Sequence, residues 1–168
     1  MIYIYDSALQ RITLEVDNAK GIETGGILVG VRLMNDDIII THATSPGPKA
    51  IKSKYSFQKD FDYTLRIMKM LYRKYSVIYL GEWHKHPTNN VNYSCADLAS
   101  MLSITSINDL SCLFMIVGDS YCIKRPKSYL KIWSLTDRNS IIENAWEVTD
   151  NPEQLAENQG ILFERGGQ

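Results

Sequence analysis

Cysteine is scarce in this chain. Cys95, Cys112 and Cys122 are the only three in 168 residues, and no CxxC occurs. An odd, scattered set supplies neither a disulfide framework nor a cysteine zinc site, so three reduced thiols in a cytoplasmic protein are expected. No apolar run approaches the ~18 residues a membrane span requires. The opening Met1-Ile2-Tyr3-Ile4-Tyr5-Asp6 has no basic start and no long apolar stretch, so no signal peptide is expected. A basic excess is missing as well: 18 Lys plus Arg stand against 19 Asp plus Glu, a net charge of -1. That balance argues against a general binder of nucleic acid or of anionic membranes. Repeats, low-complexity blocks and interdomain linkers are also lacking, and the length fits one domain.

What is present reads as alternating strands and helices. Ile2 to Tyr5 fits a short strand, and a helix capped by Asp6 or Ser7 runs to Asn18, with Leu9, Ile12 and Val16 at helical spacing. Gly25 to Val31 reads as a buried strand, Asp36-Asp37 as a turn and Ile38 to Ala43 as its hairpin partner. Ser45-Pro46-Gly47-Pro48-Lys49 reads as a loop, because proline removes ladder donors. Phe61, Leu65, Met68 and Leu71 mark an amphipathic helix over 58–75. Val77 to His84 is β-rich, a polar loop follows, and a helix is expected from Ser94 to Ile107. Cys112 to Val117 and Leu130 to Leu135 read as further strands. The segment from Asn151 is polar and reads as a short helix with a loose end.

The segment Gly81-Glu82-Trp83-His84-Lys85-His86-Pro87 carries the chemistry. Histidine occurs only three times in the chain, and two of the three stand here, two residues apart. On a strand, residues i and i+2 face the same side, so both imidazoles can reach one ion. Pro87 ends the strand. Ser94 and Asp97 sit one helical turn apart at the start of the next helix and share its face. Two imidazole nitrogens and one carboxylate oxygen make an open catalytic zinc shell, with water in the fourth place. Such chemistry also needs a carboxylate that is not a ligand, to take a proton from the water and pass it on. Glu23, at the head of the glycine-flanked strand, is the candidate.

The pattern H-x-H-P-x(6)-S-x-x-D, carried by His84, His86, Pro87, Ser94 and Asp97, resembles the motif of the JAMM (MPN+, JAB-domain) metallopeptidases at every fixed position. Glu23-Thr24-Gly25-Gly26-Ile27-Leu28-Val29-Gly30 resembles that family's glutamate strand. By residue frequencies alone, the downstream motif arises in a chain of this size on the order of once in 10⁴ cases or fewer. The resemblance implies an α/β (α+β) MPN domain, a curved mixed sheet flanked by helices with a cytidine-deaminase-like architecture. It would occupy residues 1–150, with 151–168 as a tail. It implies that His84, His86 and Asp97 bind one zinc ion, that Glu23 is the general acid/base and lies beside His84, and that Ser94 holds the oxyanion. The helix N-cap is a second reading for Ser94.

Ala43-Thr44-Ser45-Pro46-Gly47-Pro48-Lys49-Ala50 and Gly81-Glu82-Trp83-His84 resemble small stand-alone bacterial JAMM proteins of CBASS antiphage operons, in the integrative and conjugative element protein family. That resemblance implies a deconjugase. It would cut the amide between the extended C-terminal tail of a cGAS-like nucleotidyltransferase, or a ubiquitin-like protein, and its target. A non-enzymatic MPN scaffold and a peptidase of sulfur-carrier proteins stand as alternatives. Glu82 should share the face of His84 as a supporting carboxylate, Trp83 should point to the core, and His42 should sit in the sheet away from the metal. The loop from Pro46 to Tyr55 is read either as a guide for the substrate tail or as a passive loop. Arg165-Gly166-Gly167-Gln168 is read as a plain terminus.

Overall fold

A computed structural model describes residues 1–108, 111–135 and 140–150. Its frame is a curled eight-stranded mixed sheet with helices on both faces. In chain order the elements are β1 (Ile2–Tyr5), α1 (Asp6–Asn18), β2 (Thr24–Arg32), β3 (Ile38–Ala43), β4 (Ile51–Lys52), β5 (Phe57–Gln58), α2 (Phe61–Tyr75), β6 (Ile78–Lys85), α3 (Cys95–Asn108), β7 (Leu113–Val117), β8 (Leu130–Leu135), β9 (Ile141–Glu143) and β10 (Trp146–Thr149). The sheet runs β10-β1-β3-β2-β6-β7-β8-β9, and β4 and β5 form a separate two-stranded hairpin. The strands β6 and β7 are parallel, joined by a crossover through α3, whereas β2 is antiparallel to both β3 and β6.

The apolar spacing of α1 lays Leu9, Ile12 and Val16 against Ile4, Ile40, Trp83 and Met115 on one sheet face. On the other face Leu71 of α2 packs on Ile27, Val29 and Val77, and Met101 of α3 packs on Phe114 and Ile116. Strand alternation along β2 separates the two sets, Ile27 going to one side and Leu28 to the other.

A bulge in β6 sets which side chains face the helices. Leu28 pairs with Gly81 but Val29 pairs with Tyr79, so Leu80 is an extra residue on that strand. Leu80 and Trp83 consequently share the α1 face although three residues apart, while Tyr79 and Glu82 share the other. Gly81 makes the bulge possible. Its φ is +151°, and a Cβ there would lie 1.9 Å from the Leu113 carbonyl oxygen.

Several boundaries differ from the sequence reading. The second long helix starts at Phe61 rather than residue 58, because the Asp60 carboxylate accepts the Tyr63 amide at 3.0 Å and caps it. Gln58 belongs to β5 instead. Asp6 lies inside α1, whose N-cap is Tyr5. The short strands β4, β5, β9 and β10 have no counterpart in that reading. The expected C-terminal helix from Asn151 and the terminus Arg165 to Gln168 lie outside the described residues. Among the described residues, no helix is long and apolar enough to cross a membrane.

Candidate metal centre

The site lies where β6 ends, on the sheet face covered by α2 and α3. Alternation after the bulge sends Glu82 and His84 to this face and buries Trp83 and Lys85 on the other. Trp83 donates its indole N–H to the Thr44 carbonyl at 3.0 Å, which locks it as a core residue. Beyond Pro87, Ser94 caps α3 and Asp97 stands in its first turn. The two form a reciprocal box: the Ser94 amide donates to Asp97 Oδ2 at 2.6 Å, and the Asp97 amide donates to Ser94 Oγ at 3.2 Å.

These elements converge three donor groups. His84 Nε2 is 3.2 Å from Asp97 Oδ1, and His86 Nε2 is 3.3 Å from Asp97 Oδ2. One ligand atom from each of the three residues lies within 4.8 Å of the others, a spacing that suits a single cation. All three side chains are partly buried.

The hydrogen bonds of His86 decide what its Nε2 offers. Its Nδ1 lies 2.6 Å from the Asn90 carbonyl oxygen. A carbonyl oxygen only accepts, so Nδ1 carries the proton and the neutral ring presents a lone pair at Nε2. That lone pair faces the Asp97 carboxylate. Acceptor against acceptor at this distance requires a positive charge between them, either a proton or a metal ion. Without a metal, a proton can take this place. Burial lowers the His86 pKa, but the Asp97 hydrogen bond and the Asn90 carbonyl outweigh it and raise it above the ordinary 6.5. Asp97 moves the opposite way. Burial raises its pKa, but hydrogen bonds from both imidazoles and the Ser94 amide hold the carboxyl well below the usual range. The donor set therefore fits a divalent cation with nitrogen and oxygen preference.

Glu23 precedes β2 and lines the same cavity as His84 and Asp97. It is adjacent because β2 pairs with β6 in a register that sets Thr24 opposite Lys85 and Gly25 opposite His84. A Cβ on Gly25 would lie 2.3 Å from the Trp83 carbonyl oxygen, so only glycine permits this approach. Burial pushes the Glu23 pKa above the ordinary carboxylate value, against the opposing pull of His84 and His86. Glu15, by contrast, lies on α1 and pairs with Arg11 at 3.1 Å.

The cavity beside these groups measures about 270 Å³, and its walls include Tyr55, Phe57, Glu82, Met101 and Phe114. Glu82 is tied to Lys59 by an ion pair and receives the Tyr79 hydroxyl at 3.4 Å. The loop that begins at Pro46 is pinned at its base by the Asp60 amide on the Pro46 carbonyl, 2.8 Å, and its far end supplies Tyr55 to the wall. His42 is on β3, with Nδ1 2.8 Å from Thr41 Oγ1 and its ring 5.2 Å from that of Tyr75. It lines a different cavity. The sequence reading passed over Lys85, Asn90 and Asp119, which contact the backbone or side chains around the site. No spacing rule marks Lys85 and Asp119, since their partners lie up to 99 residues away.

A family model described as prokaryotic homologs of the JAB domain matches residues 6–136. A protein of Enterobacter hormaechei subsp. hoffmannii named CD-NTase/cGAS isopeptidase is 32% identical over 113 residues, 67% of this chain and 62% of that protein. An Escherichia coli protein of the same name is 27% identical over 65% of this chain and 71% of its own. A Sinorhizobium fredii protein named probable metalloprotease y4qB is 27% identical over 52% of this chain and 54% of its own. The chain thus spans less than two thirds of the first and third of these relatives. The solution structure of protein DSY2949 from Desulfitobacterium hafniense superposes with a TM-score of 0.69 at 21% identity, covering 92% of this chain and 97% of that one, a likeness of fold.

Proposed function

The chain belongs to the prokaryotic homologs of the JAB domain, and we propose that it is a zinc-dependent isopeptidase, with His84, His86 and Asp97 as the metal ligands. The observation that carries this reading is the convergence of three ligand atoms within 4.8 Å of one another, beside a cavity that Glu23 lines together with His84 and Asp97. When bound, the ion supplies Lewis acidity toward an amide carbonyl and toward the attacking water.

The chain's own groups do the rest. Glu23 takes the proton of the water as it attacks and delivers it to the departing amine. Its raised pKa suits both halves of that transfer, because a carboxylate of ordinary acidity would hold the proton too weakly to deliver it. The Asn90 carbonyl keeps the His86 lone pair aimed into the site. Ser94 accepts from the Asp97 amide, which leaves its hydroxyl hydrogen free to donate to the developing oxyanion.

The substrate in this reading is an extended C-terminal tail joined to a lysine or other amine. The names of the Enterobacter and Escherichia relatives support the tail of a cGAS-like nucleotidyltransferase; the reading extends this to an antiphage deconjugase working in the cytoplasm. The catalytic unit would be residues 1–150. The test is incubation of the metal-loaded protein with such a tail conjugated to a lysine peptide, alongside a ubiquitin-like conjugate and a sulfur-carrier fusion. Cleavage of the first, seen as free tail and free peptide by mass spectrometry, is expected. Protein that takes up metal yet cuts none of the three would overturn the reading in favour of a scaffold.

A further inference from the structure

Lys85, the residue between the two histidines, has a side chain that is 0% exposed. Its Nζ donates to the carbonyls of Ala19 and Ile22, each at 2.9 Å, and lies 2.5 Å from Asp119 Oδ1. The same Oδ1 accepts the Gly21 amide at 2.9 Å, and Lys20 Nζ donates to the Asp119 carbonyl at 2.9 Å. An ammonium has three protons, and here three oxygens receive them. Lys85 at the end of β6 and Asp119, two residues past the end of β7, thus hold the turn that joins α1 to β2.

That turn needs holding. Lys20 and Gly21 are exposed, Gly21 has a left-handed φ of +70°, and nothing lies within 4 Å of where its Cβ would be. Ala19 is buried and accepts the Ile22 amide at 3.2 Å, but the tip between them is exposed and unpacked, and such a tip opens at low cost. Glu23 follows it directly and sits outside the ladder, since the pairing of β2 with β6 begins at Thr24. Beyond the turn, the Glu23 amide donates to the Ser53 carbonyl at 2.8 Å. A buried ion pair is an expensive way to fill space, because well-packed apolar side chains serve as well or better.

We propose that Lys85 and Asp119 are positioning residues that clamp the turn at Ala19 to Ile22 and thereby hold the Glu23 carboxylate at the site. The clamp rests on the reading of Glu23 as the proton carrier. It gives the strand's two faces different roles. His84 and His86 serve the metal in front, and Lys85 between them serves the base from behind.

Lys85→Met keeps the length of the side chain and removes its donors. With the clamp, amide hydrogen exchange over 19–23 in the metal-free protein speeds by about tenfold or more while β7 is unchanged. In the metal-loaded enzyme kcat falls by about 10²-fold, KM stays within about threefold, and one metal per chain is retained. Asp119→Asn preserves an acceptor for both Lys85 and Gly21 and recovers most of the kcat lost in Asp119→Ala. These Asp119 variants carry the test should Lys85→Met fail to fold. Folded variants with wild-type exchange over 19–23 and wild-type kcat would overturn the clamp. Should the wild-type protein cleave no conjugate, the proposed activity falls, and the exchange measurement alone still decides whether the clamp exists.

Discussion

His86 and Asp97 meet lone pair to lone pair, Nε2 to Oδ2 at 3.3 Å, with the other ring nitrogen of His86 committed to the Asn90 carbonyl. The pair therefore has room for one positive charge, and at the proposed centre proton and metal compete for the place. Without metal, burial works against the proton on His86, but Asp97 and Asn90 prevail and lift the pKa above 6.5. A raised pKa means that the proton is held to higher pH, so metal affinity weakens as pH falls through that value. For one displaced proton the loss is about tenfold per pH unit. Calorimetric titration of zinc in buffers of different ionisation enthalpy should report about one proton released near neutrality. An affinity that is flat from about pH 8 to about pH 6 would contradict the exchange of proton for metal.

Ser94 has two roles that substitution can separate. Its Oγ caps α3 through the Asp97 amide, and Ser94→Ala should cost about 1 kcal/mol of stability in chemical denaturation. Asn caps a helix about as well as Ser, so Ser94→Asn should keep that stability. If the hydroxyl also donates to the oxyanion, Ser94→Asn still loses about 10²-fold in kcat with metal bound. Full activity in Ser94→Asn would leave the residue as a cap alone.

Gly81 sets the phase of the strand that bears the histidines. Gly81→Ala adds a Cβ 1.9 Å from the Leu113 carbonyl oxygen at a φ of +151°. The strain should cost about 2–3 kcal/mol or more, and the molecules that remain folded should bind metal poorly. The midpoint of a urea transition and metal content per folded chain read these two effects. A shift below about 0.5 kcal/mol would mean that the bulge accommodates a side chain.

Much of the site could be read from local spacing. His84 and His86 share a face because strands alternate, and Ser94 and Asp97 meet because they are one helical turn apart. The apolar face of α1 followed from Leu9, Ile12 and Val16 in the same way. Placing Glu23 beside His84 needed the register of β2 against β6, which no single strand encodes, and only the family resemblance supplied it. The bulge at Leu80 breaks the alternation on which the spacing argument relies, yet it lies upstream of His84 and leaves the two histidines in phase. The hairpin of β4 and β5 has two residues per strand, too few to show any period. Likewise β10 is placed by pairing with β1 at the opposite end of the chain. Lys85 and Asp119 meet across 34 positions through tertiary packing alone, since 119 − 85 = 34.

The most direct measurement compares metal-loaded wild-type protein with metal-loaded Glu23→Gln on a tail–lysine conjugate in ¹⁸O-water. Wild type should release the amine and place one labelled oxygen in the new C-terminal carboxylate, and Glu23→Gln should do so about 10³-fold more slowly at equal metal content. Equal rates for the two proteins, or no cleavage by a wild-type protein that carries its metal, would contradict the account.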